Sequence, residues 1–173
     1  EQRNVLIYGR RRVGKSELIK QALTDLSDVA TIYYECRQTS EADNLESLSA
    51  LAAEALSFPP LAFTGIRELI EFLFAQAKDK NITLVLDEYP YLRDAVKGLD
   101  SILQTSIDAH REDSRLNIVL CGSYVEIMKS LIEHESPLYG RIDLALELKP
   151  MDYFDAAKFY PAFSPEDKVR LYS

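Results

Sequence analysis

The sequence is poor in the residues that build disulfide frameworks and metal sites. Its 173 residues include two cysteines, two histidines and no tryptophan. Two cysteines and two histidines cannot complete a four-ligand zinc site without carboxylates. Cys36 and Cys121 lie in apolar, strand-like segments, which predicts that both are buried free thiols. This usage favours a reducing, cytoplasmic compartment.

Long apolar runs and an excess of basic charge are absent as well. No run approaches the roughly 18 residues of a membrane-spanning helix, and the polar first residues do not open a signal peptide, so we expect no membrane partner. Lysine and arginine number 20 against 28 acidic residues, a net charge of −8. This balance argues against a surface that binds nucleic acid over its whole extent, but leaves open a local basic patch.

Short apolar segments alternate with amphipathic ones along most of the chain. Valine, isoleucine, leucine and tyrosine accumulate in segments that predict five strands, at 5–8, 30–35, 82–86, 118–121 and 145–148. Their nearly continuous hydrophobicity favours a parallel sheet covered on both faces. Apolar residues at helical spacing predict helices within 45–55, 66–77 and 99–107. The alternation indicates βαβ units in a three-layer α/β sandwich.

The pattern changes after Lys149 and Pro150. Residues 151–173 show helical spacing without another strand, so we predict one domain at 1–150 and the beginning of a small helical region at 151–173. The first strand begins within a few residues of Glu1, and Ser164 with Pro165 is typical of a helix start close to the last residue. We therefore expect the sequence to be part of a longer protein.

A glycine-rich phosphate-binding motif lies at residues 9–16. Its sequence, Gly-Arg-Arg-Arg-Val-Gly-Lys-Ser, matches the P-loop pattern G-x-x-x-x-G-K-[ST], and it follows a predicted strand and precedes a helical pattern. Glycine lets backbone amides surround a phosphate without a Cβ collision, and a helix N-terminus favours an anion. Lys15 is predicted to contact the β- and γ-phosphates and Ser16 to bind Mg²⁺. The predicted nucleotide-binding residues are Gly9, Arg10, Arg11, Arg12, Val13, Gly14, Lys15, Ser16 and Glu17.

An acidic pair follows the predicted strand at 82–86. Asp87 and Glu88 at a strand end are costly to desolvate unless a cation meets them. In a P-loop protein that cation is Mg²⁺, so Asp87 is predicted to hold it directly or through water. Glu88 is predicted to orient and deprotonate an attacking water. The alternative is an exposed Asp-Glu turn, which is common in isolation.

Two further residues are candidates for the reaction site. Ser123 follows the predicted strand at 118–121, and we interpret it as a neighbour of the attacking water that senses the γ-phosphate, as a cap of the helical segment 124–132, or as both. Arg141 follows a Ser-Pro-Leu-Tyr-Gly turn. It is interpreted either as stabilising transition-state charge, in its own subunit or in a neighbour, or as a surface salt bridge.

Four segments together resemble one family. GRRRVGKS, LVLDEYPYL, CGSYVEIMKS and SPLYGRIDLALELKPMDYFDAAKFYP occur in the order seen in archaeal and bacterial P-loop ATPases of the AAA/STAND type. That family is related to the origin-recognition ATPases and is often fused to a restriction-endonuclease-like domain. The resemblance implies a five-stranded sheet with the Asp87 strand beside the P-loop strand, and a helical lid after Pro150. It also implies catalytic roles for Lys15, Glu88, Ser123 and Arg141, and Mg²⁺ ligation by Ser16 and Asp87.

The function predicted from these residues is Mg²⁺-dependent ATP binding and hydrolysis, used as a switch or motor. The expected partner is an effector domain, fused or separate, and both its action on nucleic acid and the formation of a homo-oligomer remain open. Two alternatives also remain: a small-molecule kinase, and an ATP-binding scaffold that does not hydrolyse. GTP is disfavoured because the sequence contains no Asn-Lys-x-Asp segment to recognise guanine.

Overall fold

Strands and helices alternate through the computed structural model, which describes residues 2–164, 167, 169 and 170. The predicted strands agree with the observed ones to within two residues at each end. In chain order the elements are β1 (Asn4–Tyr8), α1 (Lys15–Thr24), β2 (Ala30–Glu35), α2 (Glu41–Leu56), α3 (Ile66–Gln76), β3 (Ile82–Asp87), α4 (Tyr89–Ala95), α5 (Leu99–Ala109), β4 (Leu116–Gly122), α6 (Val125–Ser130), β5 (Leu144–Glu147) and α7 (Tyr153–Ala157).

The strands form a five-stranded parallel sheet in the order β2-β3-β4-β1-β5, which confirms the predicted α/β fold. The order corrects one expectation, because the Asp87 strand does not lie beside the P-loop strand. Strand β4 separates them, and its Leu120 pairs with Leu86 of β3 on one side and with Leu6 of β1 on the other. Since β4 is apolar on both faces, it is most stable in the sheet interior.

Side chains on the strands alternate between two faces of the sheet. On one face, Leu84 and Leu120 belong to the large buried cluster that includes side chains of α2, α3 and α5. On the other face, Val85 and Cys121 pack with Ile19 of α1. The helices on the two faces complete the three layers. Asp87 lies on the same face as Val85, the face covered by α1, because the two residues are two positions apart on β3.

Both cysteines are buried free thiols, as predicted. Burial, with the negative charge of nearby Asp87 as the second cause, raises the pKa of Cys36 and of Cys121 well above the ordinary thiol value. Both side chains are therefore neutral core residues at neutral pH.

Parts of the chain depart from the predicted pattern. Helix α4 is too short for a periodic signal and has Pro90 in its first turn. Strand β5 is an edge strand, and its Leu144 is 55% exposed, so the sheet is not covered there on both faces. Between Pro150 and Ser164 the structure describes one short helix, α7, without a buried residue. The helical lid and the boundary at residue 150 stay predictions, and the predicted helix start at Pro165 lies outside the described residues.

Candidate functional site

The phosphate-binding loop connects the carboxyl end of β1 to helix α1. Gly9 is buried and has φ +156°, and a Cβ built there would lie 2.2 Å from the carbonyl oxygen of Leu148. Gly14 has φ +91° and is the N-cap residue of α1. Both positions require glycine, Gly9 for close backbone approach and Gly14 for its left-handed conformation.

The N-terminus of α1 opens at this loop. Among the described residues, no side chain caps the helix. The first backbone hydrogen bond at this end runs from the Leu18 amide to the Gly14 carbonyl oxygen at 2.9 Å. The amides of the preceding turn therefore have no partner within the helix. Together with the helix dipole, they form a site that favours an anion.

Lys15 is folded onto the loop rather than extended into solvent. Its side chain is buried, and its Nζ donates to the carbonyl oxygens of Gly9, at 3.0 Å, and Arg10, at 3.1 Å. The ammonium is thereby held at the same loop whose amides face the predicted phosphates. The three neighbouring arginines at 10–12 are exposed, and Arg11 reaches Tyr91 with a hydrogen bond of 3.2 Å.

Ser16 and Asp87 meet although they lie on different elements. The Ser16 hydroxyl donates to Oδ2 of Asp87 at 2.6 Å, and the Tyr33 hydroxyl donates to the same oxygen at 2.5 Å. A hydroxyl and a carboxylate beside a phosphate site are the hard oxygen ligands that Mg²⁺ prefers, so these residues fit that cation. In the described part of the chain no three His, Cys, Asp or Glu side chains form a metal cluster. Mg²⁺ does not need one, because it keeps several waters and binds substrate phosphates.

The Asp87 carboxyl stays ionised despite being buried. Burial alone raises its pKa, but hydrogen bonds from Ser16, Tyr33, Cys121 and the Glu88 amide outweigh that effect, so the pKa lies below the ordinary aspartate value. An ionised carboxylate in this position attracts a cation.

Glu88 lies one residue beyond β3 and has a strained backbone. Its φ of 51° and ψ of 45° are left-handed, which is uncommon for a residue with a Cβ and typical of functional sites. The Ser123 hydroxyl contacts both carboxylate oxygens of Glu88 at 2.9 Å, and the Ser123 amide donates to Oε2 at 3.2 Å. Ser123 does not cap the following helix, since Tyr124 is the N-cap residue of α6 and no side-chain cap is present there.

Comparison with known proteins identifies the family. A model described as an ATPase domain predominantly from Archaea matches residues 1–169. The chain belongs to this family. A relative of this ATPase domain, the uncharacterized protein MJECL04 of Methanocaldococcus jannaschii, is 31% identical over 169 residues. The match covers 97% of the chain but 36% of the relative, so the chain spans only part of that protein's length.

Solved structures share the fold of this ATPase domain. The Walker-type ATPase PABY2304 of Pyrococcus abyssi has a TM-score of 0.65 at 22% identity, covering 96% of this chain and 56% of that one. The ORC2 protein of Aeropyrum pernix, solved as ADPNP-ADP complexes, has a TM-score of 0.64 at 18% identity, covering 98% and 46%. At these identities the similarity shows the fold. The narrower AAA/STAND type and the endonuclease fusion stay predictions.

Arg141 is not brought to the site of its own ATPase domain. Its carbonyl oxygen accepts from Asn4 Nδ2 at 2.9 Å, and Asn4 is the first residue of β1, whereas the P-loop follows the last. The two ends of such a strand are about 13 Å apart at about 3.3 Å per residue. The Arg141 side chain instead pairs with Asp108, with Nη2 at 2.7 Å from Oδ2. The salt bridge that was one interpretation of Arg141 is therefore present. The position of Arg141 does not fit action on the nucleotide site of its own subunit.

Tyr33 is the site residue that sequence reasoning missed. It carries no motif, and strand β2 looks like an ordinary buried strand. The available signal is its position in the sheet. Tyr33 pairs with Val85 of the parallel strand β3, and Val85 lies two residues before Asp87 on the same face. Using that signal requires the register of two strands that are far apart in sequence.

Within the described residues, no helix combines the length and apolarity needed to cross a membrane.

Proposed function

We propose that this ATPase domain binds ATP together with Mg²⁺, hydrolyses it, and transmits its nucleotide state to a partner domain. One observation carries the proposal: the side chains that we assign to phosphate binding, metal binding and water activation lie at the carboxyl ends of adjacent parallel strands. Ser16 follows β1, Asp87 ends β3, and Ser123 follows β4, which lies between those strands. Membership in an ATPase domain family supports the proposal.

Phosphate binding is the task of the loop and of Lys15. The first-turn amides of α1 would bind the phosphate oxygens, and the Lys15 ammonium would exchange the carbonyls of Gly9 and Arg10 for the β- and γ-phosphates. This exchange is favourable because a charged phosphate is a stronger acceptor than a neutral carbonyl.

Ser16 and Asp87 would hold Mg²⁺ beside these phosphates. When bound, the cation neutralises charge that develops on the β- and γ-oxygens. Asp87 is preset for this role because its pKa is depressed and its Oδ1 accepts the Glu88 amide at 2.9 Å. The hydroxyl of Ser16 already points at the carboxylate.

Water activation is assigned to Glu88, with Ser123 as its positioning residue. The carboxylate of Glu88 would accept a proton from the attacking water as the water oxygen bonds to the γ-phosphorus. The bond from the γ-phosphorus to the β,γ-bridging oxygen would break in the same reaction, and ADP would leave with that oxygen. Ser123 holds the carboxylate through its hydroxyl and its amide. The strained backbone of Glu88 is consistent with a residue held for function rather than for stability.

Arg141 is proposed to act in the site of a neighbouring copy. It lies near the amino end of β1, whereas its own P-loop follows the carboxyl end of that strand. There it lines a cavity of about 600 Å³ together with Arg3, Lys78, Arg111 and Arg115. A homo-oligomer would be needed to place this guanidinium beside a γ-phosphate. The effector domain is proposed to be fused, because MJECL04 extends well beyond the matched region.

The first test is nucleotide binding. A fluorescent ATP analogue should bind the wild type with Mg²⁺ and lose most of its affinity in Lys15→Ala. Lys97→Ala, which removes an exposed lysine outside the site, is the matched control and should bind normally. Equal affinity of the wild type and Lys15→Ala would overturn the assignment.

The second test separates the proposed reaction from its alternatives. Glu88→Gln should keep ATP binding and lower phosphate release at least about 100-fold, the lower range for loss of a positioned base. Glu126→Gln, an exposed glutamate of α6, is the control. Transfer of phosphate to an added hydroxyl compound without phosphate release would indicate a kinase, and binding without turnover would indicate a scaffold.

A further inference from the structure

Tyr33 completes the set of hydrogen bonds that orient Asp87. Its hydroxyl and that of Ser16 both donate to Oδ2, whereas Oδ1 accepts the backbone amide of Glu88. The Cys121 thiol also hydrogen-bonds to this carboxylate, so four groups orient it. Two of these donors, Ser16 and the Glu88 amide, belong to residues that the proposed function already uses.

Packing of the Tyr33 ring holds its hydroxyl at Asp87. The ring packs with the small cluster under α1, and Lys20 Nζ lies 5.6 Å from its centroid. A tyrosine has few rotatable bonds, so packing of the ring fixes the hydroxyl.

The hydroxyl donors to Asp87 differ in whether they would also bind the cation. The Ser16 hydroxyl oxygen would be a Mg²⁺ ligand, and because coordination uses an oxygen lone pair, its proton would stay available to Asp87. The Tyr33 hydroxyl is not assigned as a ligand, so its role at this site would be to hold the Asp87 carboxylate in its binding orientation.

We propose that Tyr33 is a positioning residue for Asp87 and sets the Mg²⁺ affinity of the nucleotide site. The proposal rests on the proposed function, since it concerns the same cation. Outer partners of metal-binding side chains fix ligand orientation, and their loss costs about 10- to 100-fold in metal affinity.

The neighbouring tyrosine offers a matched control. Tyr34 is on the same strand and points to the opposite face, where its hydroxyl donates to Asn44 Oδ1 at 2.6 Å. Tyr33→Phe and Tyr34→Phe each delete one hydroxyl from adjacent positions of β2. Only Tyr33→Phe removes a hydrogen bond to Asp87.

The test measures cation dependence without turnover. Binding of a fluorescent ATP analogue is followed while MgCl₂ is titrated, and again in EDTA. Tyr33→Phe should raise the half-saturating Mg²⁺ concentration about tenfold or more, with unchanged affinity in EDTA, and Tyr34→Phe should follow the wild type. In an Asp87→Asn background, Tyr33→Phe should add no further shift, because the acceptor that it orients is altered.

Each outcome bears on a different statement. A wild-type Mg²⁺ midpoint in Tyr33→Phe overturns the role of Tyr33 while leaving the proposed function intact. An equal shift in Tyr34→Phe, or an undiminished shift in the Asp87→Asn background, also overturns it, since both indicate a general effect on the fold. Failure of the wild type to bind the analogue overturns the proposed function and this role together.

Discussion

The Ser123 hydroxyl contacts both carboxylate oxygens of Glu88 at 2.9 Å, although the two residues are 35 positions apart in the chain. The contact exists because β3 and β4 are parallel neighbours whose carboxyl ends lie side by side. A candidate base and a candidate sensor are thereby joined directly. This contact would link the proposed sensor of the γ-phosphate to the proposed base.

Ser123→Ala should lower turnover while leaving ATP affinity unchanged. The variant loses a hydrogen bond to a charged group, worth about 1.5–3 kcal/mol, which corresponds to roughly a 10- to 100-fold fall in kcat. Steady-state kinetics with parallel binding measurements check this. Ser130→Ala removes a hydroxyl bonded to the Ile127 carbonyl in α6 and should be silent. An unchanged kcat in Ser123→Ala would remove Ser123 from the reaction.

Arg141 should act between copies of the chain. Arg141→Ala should lose activity yet bind ATP, whereas Lys15→Ala should neither bind nor hydrolyse it. Mixing the two variants should restore activity above the sum of the separate proteins, because Lys15→Ala supplies an intact arginine to sites that bind ATP. The control replaces Lys15→Ala by the double variant Lys15→Ala/Arg141→Ala, which should restore nothing. Activity in the mixture equal to that of the separate variants contradicts action in a neighbouring site.

Gly9→Ala should destabilise the fold and weaken nucleotide binding. The added methyl group meets the Leu148 carbonyl oxygen at 2.2 Å, and this backbone atom is fixed by the bond from the Leu148 amide to the Tyr8 carbonyl. Overpacking of this kind costs about 1–3 kcal/mol, which urea unfolding can measure.

Gly140→Ala separates this clash from backbone strain alone. Gly140 has φ +70° and open space around its Cβ position, so its substitution should cost about 1 kcal/mol and leave ATP binding unchanged. Equal nucleotide affinity in Gly9→Ala and the wild type would show that the loop tolerates the added group.

Glu71 should contribute to the pH dependence of stability. Ser106 donates to its carboxylate and His110 Nε2 lies 2.9 Å from it. Burial raises the pKa of Glu71, but these hydrogen bonds lower it by more than burial raises it. The pKa therefore lies below the ordinary value of 4.5. A carboxyl with a depressed pKa stabilises the fold above its unfolded pKa, and this stability is lost as the pH falls through the folded-state pKa.

Glu71→Gln isolates that contribution. The variant should be less stable than the wild type at pH 7, and the difference should shrink in acid as the wild-type carboxyl becomes protonated. Urea unfolding of both proteins at neutral pH and at about pH 3 checks this, since a change confined to the pH range in which carboxyls titrate is the signature of such a group. A difference that is constant with pH would indicate a packing effect.

The sequence determined the local elements and indicated the candidate site residues at their ends. Alternation and helical spacing of apolar residues predict the five strands and the long helices, because these patterns report which side of each element must be buried. The P-loop is local as well: Gly9, Gly14, Lys15 and Ser16 follow one another within eight residues, so their spacing alone indicates the loop and the start of α1. Asp87 and Glu88 were candidates from the sequence because an acidic pair at a strand end is costly to desolvate without a cation.

Tertiary structure decided what depends on strand order and on distant partners. Strand β4 between β1 and β3 brings Ser123 to Glu88 and corrects the expected neighbour of the P-loop strand. The register of β2 on β3 places Tyr33 at Asp87. The turn before β5 places Arg141 near the amino end of β1, away from the P-loop. Apolar periodicity shows that a strand is buried but not which strand lies beside it, because that choice is made by packing of the crossover helices on the assembled sheet.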